Sequence, residues 1–446
     1  MTDLCNIQQN GGTHMADIHE LDIQLKKIPT AYSHTMGILV GGGPAPGING
    51  VISAAAIESI KHGWQVTGIM DGFRWLSGTG EVPTMPLAIS DISRIHQRGG
   101  SILRTSRENP TSDPKKVRNV VDNLLKLKID RLITIGGDDT AYTASVIESQ
   151  AKGRIYIVHV PKTIDNDLPL PDSKSSFGFH TARHYGVEIV QNIMEDAVTT
   201  NRWYFIVTMG RKAGHLALGI GKSSGATLTV IAEEFSRDKV IKVSQICDIL
   251  EGAIVKRLAM GKSHGVAILS EGIAERFDPA ERELIDKAEK DEHGNIRLAE
   301  IDLGKYLKNE VRKRLEARNI KLTIVDKDIG YELRCAPPIP FDSEYTRDLG
   351  YGASKLLQDG VTGAMVSLQG GRIVPIYFPD IMDTVTGKTK IRYVNPKTES
   401  YAVARAYMIR LERSDFEDPE QLEQIVKASN LTSGEFIKRF GWIKDV

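Results

Sequence analysis

Cysteine is scarce in this chain of 446 residues: Cys5, Cys247 and Cys335 lie far apart in the sequence. There is no CxxC pair and no cysteine–histidine cluster, so the pattern supports neither a zinc site nor a disulfide framework. Isolated cysteines are typical of free thiols in a reducing compartment. We therefore expect three unpaired cysteines and a cytoplasmic protein.

Long apolar runs and an excess of one charge are also missing. No stretch approaches the roughly 18 apolar residues of a membrane span, and the polar N-terminus has no apolar signal core. Basic and acidic residues both number 57, so the formal net charge is zero. This balance argues against nucleic acid or an anionic membrane as the main partner.

Glycine, by contrast, is plentiful, with 41 residues, and many glycines directly follow short apolar runs. Alternating strand and helix patterns predict an α/β fold with mainly parallel sheet flanked by helices. Ligands in such folds bind beyond the carboxyl ends of the strands. The sequence predicts strands at 36–40, 64–70, 131–137, 154–160, 203–209, 264–270, 321–326 and 363–371, and helices at 49–63 and 141–152. Residues 18–28 are expected to form a short helix or strand, and the charged residues 274–300 a solvated helix and loop.

The first glycine-rich turn, residues 41–49, joins a predicted strand to a predicted helix. Free N–H groups at such a helix start bind phosphate. A dinucleotide-binding GxGxxG motif is excluded because Pro46 stands where the third glycine is needed. A P-loop is excluded because the lysine–serine pairs at 222–223 and 262–263 lack its first glycine. A purely structural turn stays an alternative.

Two later turns carry carboxylates. Asp138 and Asp139 follow Gly136-Gly137 at a predicted strand end, where one acid could be a simple helix cap but two adjacent acids suggest Mg²⁺ binding. Residues 161–167 read PKTIDND. Two carboxylates beside a lysine suit phosphoryl transfer, since one can accept a proton while the lysine neutralises charge. Taken alone, this segment could also be an Asx-rich loop.

Three more strand ends add charged residues: Met209-Gly210-Arg211, Glu271 and Tyr331-Glu332-Leu333-Arg334. Together they offer two arginines for a phosphate and two carboxylates for hydroxyl groups, which suits a sugar phosphate. The nearby histidines lack metal-ligand spacing, so we expect packing or surface roles for His180, His184 and His215.

In their order and spacing, GGDD, PKTIDND and MGR resemble the phosphofructokinase family, from about Met36 to at least Gly352. The resemblance implies two Rossmann-like lobes with the active site in the cleft between them. Residues 1–35 would be an extension. Residues 36–178 plus about 336–365 would form the donor lobe, and residues 179–335 plus about 366–446 the sugar-phosphate lobe and tail. Phosphoryl transfer to the 1-hydroxyl of fructose 6-phosphate is the activity that the resemblance implies.

The resemblance also implies a role for each site residue. Asp165 would be the general base, acting with Asp139, Lys162 and Arg211 as catalytic residues. Asp138 and Asp167 would hold Mg²⁺, and the donor would contact Gly42, Gly43, Arg107 and Lys162. Arg202 would reach the sugar phosphate of a neighbouring subunit, which implies a homodimer or homotetramer. The sugar site would comprise Thr163, Ile164, Asp165, Arg202, Met209, Gly210, Arg211, Glu271, Tyr331, Glu332 and Arg334.

Three departures from ATP-using relatives indicate the pyrophosphate-dependent branch of the family. Asp139 replaces the last glycine of GGDG, Lys162 replaces the glycine of PGTIDND, and Pro44 replaces the aspartate of GGDAPG. Some ATP-using relatives also carry PKTIDND, so Asp139 carries most of this inference. A carboxylate at 139 would repel the α-phosphate of ATP by about 4 kcal/mol at 4 Å, roughly a thousandfold in binding. Lys162 could pair with Asp139. The substrates would be fructose 6-phosphate and pyrophosphate, and the reaction would run both ways, in glycolysis and gluconeogenesis.

Two alternatives stay open: an ATP-dependent 6-phosphofructokinase, and a non-catalytic regulatory subunit that binds sugar phosphate.

Some positions also depart from bacterial ATP-using relatives. Ser343 replaces an arginine that contacts the 6-phosphate, and Tyr345 or Arg347 are candidates to replace that contact. Ser53 and Ile57 stand where allosteric effector arginines are expected, which argues against regulation at that place.

Overall fold

The computed structural model describes residues 33–171, 174–236, 239–282, 302–383 and 386–445. The predicted element at 18–28, Cys5 and most of the charged segment 274–300 lie outside these ranges. The two cysteines inside them, Cys247 and Cys335, are free thiols, buried and exposed respectively. No helix in the described ranges is long and apolar enough to span a membrane.

Within the described ranges, twelve strands form two sheets. In chain order they are β1 (Thr35–Val40), β2 (Gln65–Ile69), β3 (Thr84–Pro86), β4 (Arg131–Gly136), β5 (Tyr156–Thr163), β6 (Phe177–Gly178), β7 (Trp203–Thr208), β8 (Leu228–Val230), β9 (Gly265–Ser270), β10 (Ile324–Ile329), β11 (Ala364–Gln369) and β12 (Arg372–Tyr377). The first sheet has the order β12-β11-β5-β4-β1-β2-β3, with β6 paired to β5, and the second has the order β10-β7-β9-β8. All pairs are parallel except β2–β3 and β11–β12.

Helices separate most of the strands. They are α1 (Ile48–Lys61), α2 (Ile89–Ile92), α3 (Pro114–Lys126), α4 (Asp138–Ala151), α5 (Phe179–Thr200), α6 (His215–Ser224), α7 (Val243–Ala259), α8 (Pro279–Arg282), α9 (Leu303–Glu316), α10 (Tyr331–Arg334), α11 (Pro340–Gln358), α12 (Phe378–Ile381), α13 (Glu399–Ala406), α14 (Arg413–Glu417), α15 (Pro419–Ser429) and α16 (Ser433–Phe440). The predicted fold, two α/β lobes of mainly parallel sheet, is confirmed.

Each sheet buries apolar side chains on both faces, because successive side chains of a strand point to opposite sides. Along β1, Ile38 and Val40 join one core cluster and Leu39 joins another. Along β7, Phe205 and Ile206 divide in the same way between the two clusters of the second lobe. Parallel strands buried on both faces explain why the sequence shows short continuous apolar runs rather than alternation.

One predicted lobe boundary needs correction. The sequence placed residues from about 366 onward with the sugar-phosphate lobe, but β11 and β12 both extend the first sheet. A tight turn joins these strands, with Gly370 and Gly371 at φ 54° and 77°, and this left-handed region favours glycine. The chain reaches the second lobe only afterwards, where Leu411, Phe436 and Phe440 enter its core.

Candidate active site

The glycine turn after β1 lies beneath two arginine side chains. A Cβ atom added at Gly43 would lie 3.4 Å from Cζ of Arg334 and 3.8 Å from Nη2 of Arg107. Gly42 adopts φ 78° and donates its N–H to Ser106 O at 2.8 Å. A side chain at position 43 would fill the space below both guanidinium groups. The turn and the two cations therefore form a concave site suited to a phosphate group.

The two adjacent aspartates begin α4, directly after β4. Arg211 donates from Nη1 to Oδ1 of Asp138 at 2.8 Å and from Nη2 to Oδ2 of Asp139 at 3.4 Å. The negative charge of Asp138, and next that of Asp139, raises the pKa of Arg211 well above its usual value. Since Arg211 follows β7, these contacts join the carboxyl ends of the two sheets across the cleft.

Lys162 is buried near the end of β5, with 4% of its surface exposed. Its Nζ donates to the carbonyl oxygen of Gly43. The expected pair of Lys162 with Asp139 is not seen: Lys162 donates to Gly43, and Asp139 accepts from Arg211. Burial, and next the positive charge of Arg334, lower the pKa of Lys162 to about 8. The structure thus places Lys162 against the glycine turn, where its cation can meet a donor phosphate.

Asp165 and Asp167 follow β5 on either side of Asn166, which adopts the left-handed conformation at φ 57°. Burial raises the pKa of Asp165, while Arg211 and Arg334 oppose that shift. Burial, and then the charges of Asp165 and Asp138, raise the pKa of Asp167 to about 8. Three carboxylates therefore lie close enough to repel each other, which favours a proton or a cation among them.

Glu271 fixes the shape of the Met209-Gly210-Arg211 turn. Its Oε1 accepts the N–H of Gly210 at 3.0 Å and that of Arg211 at 2.6 Å. Arg211 adopts φ 50° in this turn. Burial, and next the charge of Asp165, raise the pKa of Glu271 to about 7. Glu271 therefore supports the backbone that aims Arg211 at α4.

The residues after β10 contribute one cation and one exposed ring. Cζ of Arg334 lies 4.9 Å from the ring centre of Tyr331, whose side chain is 60% exposed. Glu332 accepts the N–H of Gly330 at 3.0 Å. A Cβ atom added at Gly330 would lie 2.4 Å from Cγ of Met209. Arg334 thus lies over the glycine turn at Gly43, although the sequence assigned it only to the sugar.

Thr163 and Ile164 support the site from below, since both are buried. Oγ1 of Thr163 accepts the N–H of Asp165 at 3.0 Å.

Arg202, however, precedes β7 and lies at the opposite end of the second sheet from Arg211. It lies beside Asp196, with Nε and Oδ2 3.9 Å apart. The structure therefore does not bring Arg202 to the site of its own chain.

Two residues are candidates to replace the arginine that is expected at position 343. Tyr345 is buried in the core of the first lobe, and Arg347 is exposed.

The three histidines contact other protein groups. His180 packs on Phe341 with ring centres 4.3 Å apart, and His184 lies 3.3 Å from Glu188 on the surface of α5. His215 hydrogen-bonds Arg392.

Sequence reasoning missed two residues of the tail that touch the site. Thr389 donates to the backbone oxygen of Asp138 at 2.9 Å, and Arg392 donates to the backbone of Asn166 and Asp167. No local pattern marks them, because each is an ordinary polar residue in a loop more than two hundred positions from its partner. Only the folded chain brings them together.

Two α/β lobes with glycine turns, carboxylates and cations at facing strand ends define a phosphoryl-transfer enzyme. The sequence model described as phosphofructokinase matches residues 35–357, and the chain belongs to the phosphofructokinase family.

Named relatives cover nearly the whole chain. It is 52% identical to the pyrophosphate–fructose 6-phosphate 1-phosphotransferase of Thermotoga maritima over 410 residues, 91% of this chain and 97% of the relative. It is 46% identical to the protein of the same name from Naegleria fowleri over 417 residues, 92% and 95% of the two chains. The pyrophosphate-dependent phosphofructokinase structure from Marinobacter aquaeolei shares the fold, with a TM-score of 0.63 at 15% identity over 90% of this chain and 92% of that one.

Proposed function

We propose that this protein transfers a phosphoryl group reversibly from pyrophosphate to the 1-hydroxyl of fructose 6-phosphate, giving fructose 1,6-bisphosphate and phosphate. The observation that carries the proposal is the second carboxylate, Asp139, at the start of α4 beside Asp138. Two relatives that cover most of the chain bear the name of this activity. The site also holds the cations and the buried carboxylate that such a transfer needs.

Asp165 acts as the general base in this proposal. Its carboxylate accepts the proton of the sugar 1-hydroxyl as that oxygen attacks the nearer phosphorus of pyrophosphate. The bond from this phosphorus to the bridging oxygen breaks, and the leaving phosphate keeps the electron pair. A base works best when its pKa lies near the working pH, and burial raises the pKa of Asp165 from its ordinary value.

Four cations surround the path of the phosphoryl group. Lys162, Arg107 and Arg334 converge on the turn at Gly43, and Arg211 approaches from the other lobe. Preorganised cations in a site with little water stabilise the charge that develops during transfer. We assign the three cations at Gly43 to pyrophosphate, and Arg211 to the transferred group and the sugar.

The proposal includes Mg²⁺, held by Asp138 and Asp167. Across the described ranges, no group of three or more His, Cys, Asp or Glu side chains is arranged to hold a metal by itself. That fits Mg²⁺, which takes one or two carboxylates and completes its shell with phosphates and water. Burial, and then the charges of Asp165 and Asp138, raise the pKa of Asp167, and a cation there would relieve the repulsion among these carboxylates. When bound, Mg²⁺ would neutralise phosphate charge.

Donor choice depends on Asp139. One of its oxygens accepts from Arg211 at 3.4 Å, so the carboxylate faces the cleft. Repulsion between this carboxylate and the α-phosphate of a nucleotide would be on the order of 4 kcal/mol at 4 Å. Pyrophosphate has no third phosphate and avoids that contact. We therefore assign Asp139 to the rejection of ATP.

The sugar phosphate would lie between the Met209–Arg211 turn and the Tyr331–Arg334 turn, above Thr163, Ile164 and Glu271. Arg202 cannot serve the site of its own chain, so we propose that it binds the 6-phosphate at the site of a neighbouring copy. The assembly would then be a homodimer or homotetramer, because a shared site needs at least two chains.

A donor assay tests the proposal. The purified chain is supplied with fructose 6-phosphate, Mg²⁺ and either pyrophosphate or ATP, and fructose 1,6-bisphosphate is followed. We expect product from pyrophosphate alone, and the reverse reaction from fructose 1,6-bisphosphate and phosphate. Product from ATP alone would identify an ATP-dependent enzyme instead, and no product from either would favour a non-catalytic subunit.

A further inference from the structure

Residues 389–394, which we call the strap, lie beyond residues 35–357, the part matched by the family. The strap has no motif of its own in the sequence. In the structure it contacts three turns that carry site residues, which come from both lobes. Such a position can set how these turns lie relative to one another.

The first contact is with the start of α4. Oγ1 of Thr389 donates to the backbone oxygen of Asp138 at 2.9 Å. Thr389 is buried, with 7% of its surface exposed, so water competes little for this hydrogen bond. The bond fixes the backbone that carries the paired aspartates.

The second contact is with the loop that carries Asp165. Nε and Nη2 of Arg392 donate to the backbone oxygen of Asn166 at 3.1 and 3.0 Å, and Nη2 also donates to Oδ1 of Asn166. Nη1 donates to Lys174 O at 2.6 Å, and the backbone N–H donates to Asp167 O at 2.7 Å. These bonds hold Asn166 in its left-handed conformation, which sets the directions of both neighbouring aspartates.

The third contact is with the turn after Arg211. Nε2 of His215 donates to the backbone oxygen of Arg392 at 3.1 Å, since a carbonyl can only accept. Oε1 of Glu233 accepts the N–H of Val394 at 3.1 Å and that of Gly214 at 2.8 Å. The strap is therefore tied to the second lobe close to Arg211.

We propose that Arg392, assisted by Thr389, is a positioning residue for phosphoryl transfer: the strap holds the Asp138 turn, the Asp165 loop and the Arg211 turn in register. The inference rests on the proposed function. The hydrogen bonds of Arg392 all go to backbone oxygens and to Asn166, so it acts through these loops and not on the substrates. A displacement of about 1 Å at reacting groups can cost on the order of 100-fold in rate.

The test compares Arg392→Met, Arg392→Lys and Thr389→Val with a matched control, Arg276→Met. Arg276 also donates to backbone oxygens, those of Ala232, Phe235, Ser236 and Lys239, but none belongs to a catalytic turn. We measure kcat, both KM values and Tm. Arg392→Met should lower kcat by about 10-fold to 100-fold with KM changed less than about threefold. Arg392→Lys should recover part of kcat, and Arg276→Met should lower Tm with kcat unchanged.

Thr389→Val removes one donor without changing side-chain size, so it keeps the inference testable if Arg392→Met fails to fold. It should lower kcat about threefold or more, because the hydrogen bond from Oγ1 to the backbone oxygen of Asp138 is lost. Unchanged kcat in folded Arg392→Lys and Thr389→Val, or a rise in KM alone, would overturn the inference. The kcat of each variant is compared with that of the parent chain, so the test applies with either phosphoryl donor. A failure of the proposed function would instead appear as no phosphoryl transfer by the parent chain. The two failures can therefore be distinguished.

Discussion

Arg211 bonds Asp138 across the cleft, with Nη1 and Oδ1 2.8 Å apart, and this pair joins the two lobes at the point where chemistry is proposed. Arg211 is held by Glu271 from the second lobe, and Asp138 by Thr389 of the strap. A cation or phosphate that enters the cleft must compete with this pair. Substrate binding is therefore expected to rearrange Arg211 first.

Replacing the proposed base should remove turnover and spare binding. Asp165→Asn keeps the size of the side chain but cannot accept the proton, so kcat should fall at least about 100-fold. Fructose 6-phosphate affinity, measured by calorimetry, should change little. The matched control is Asp122→Asn, the same substitution at an exposed position of α3, which should keep full activity. Normal turnover in Asp165→Asn would reject the base assignment.

Glu271 should make stability depend on pH. Burial raises its pKa to about 7, so the folded state favours the protonated acid. Its stabilising contribution is complete below the unfolded pKa near 4.5 and is lost as the pH rises through 7. Glu271→Gln can still accept both N–H groups without a charge.

The difference in unfolding free energy between Glu271→Gln and the parent should therefore grow between pH 4.5 and 7.5 in favour of the variant, by on the order of 3 kcal/mol. Chemical denaturation at several pH values measures this difference. Glu423→Gln, at an exposed position of α15, serves as the control and should show a constant difference. A constant difference for Glu271→Gln as well would contradict the raised pKa.

Mixed assemblies should reveal whether Arg202 serves a neighbouring chain. Asp165→Asn and Arg202→Ala should each be nearly inactive alone. In randomly mixed dimers, half the molecules are hybrids and each hybrid has one intact site, so about a quarter of the parent activity should return. Asp165→Asn mixed with Arg211→Gln is the control, since Arg211 bonds Asp138 of its own chain, and no activity should return. Equal results for both mixtures would show that Arg202 acts within its own chain or not at all.

Much of the fold could be predicted because each buried parallel strand is a short apolar run that ends in glycine or a polar turn. Each of the eight predicted strands overlaps an observed one, although the strand predicted at 321–326 begins three residues before β10 (Ile324–Ile329). The missed strands β3, β6 and β8 have two or three residues, too few to show a pattern. β12 was missed because it contains Pro375 and partly buried side chains at the sheet edge, a place where proline is tolerated.

The candidate site could be predicted only where its residues lie in local motifs. Asp138, Asp165 and Arg211 follow strands directly, so their convergence follows from parallel topology. The partner of Lys162 could not be predicted, because the side chain reaches the backbone of Gly43 and a carbonyl leaves no mark in a sequence. Arg392 was missed for the same reason, since its hydrogen bonds go to backbone oxygens of distant loops.

The most direct test of the account is donor choice in Asp139→Gly, measured as kcat/KM for pyrophosphate and for ATP beside the parent chain. The account predicts that removing this carboxylate raises kcat/KM for ATP by on the order of a thousandfold, from the loss of about 4 kcal/mol of repulsion, while pyrophosphate use falls. Asp139→Glu keeps the charge and should still reject ATP. If ATP use stays equally low in Asp139→Gly, or if the parent chain already prefers ATP, the assignment of Asp139 as the donor-selecting residue is wrong.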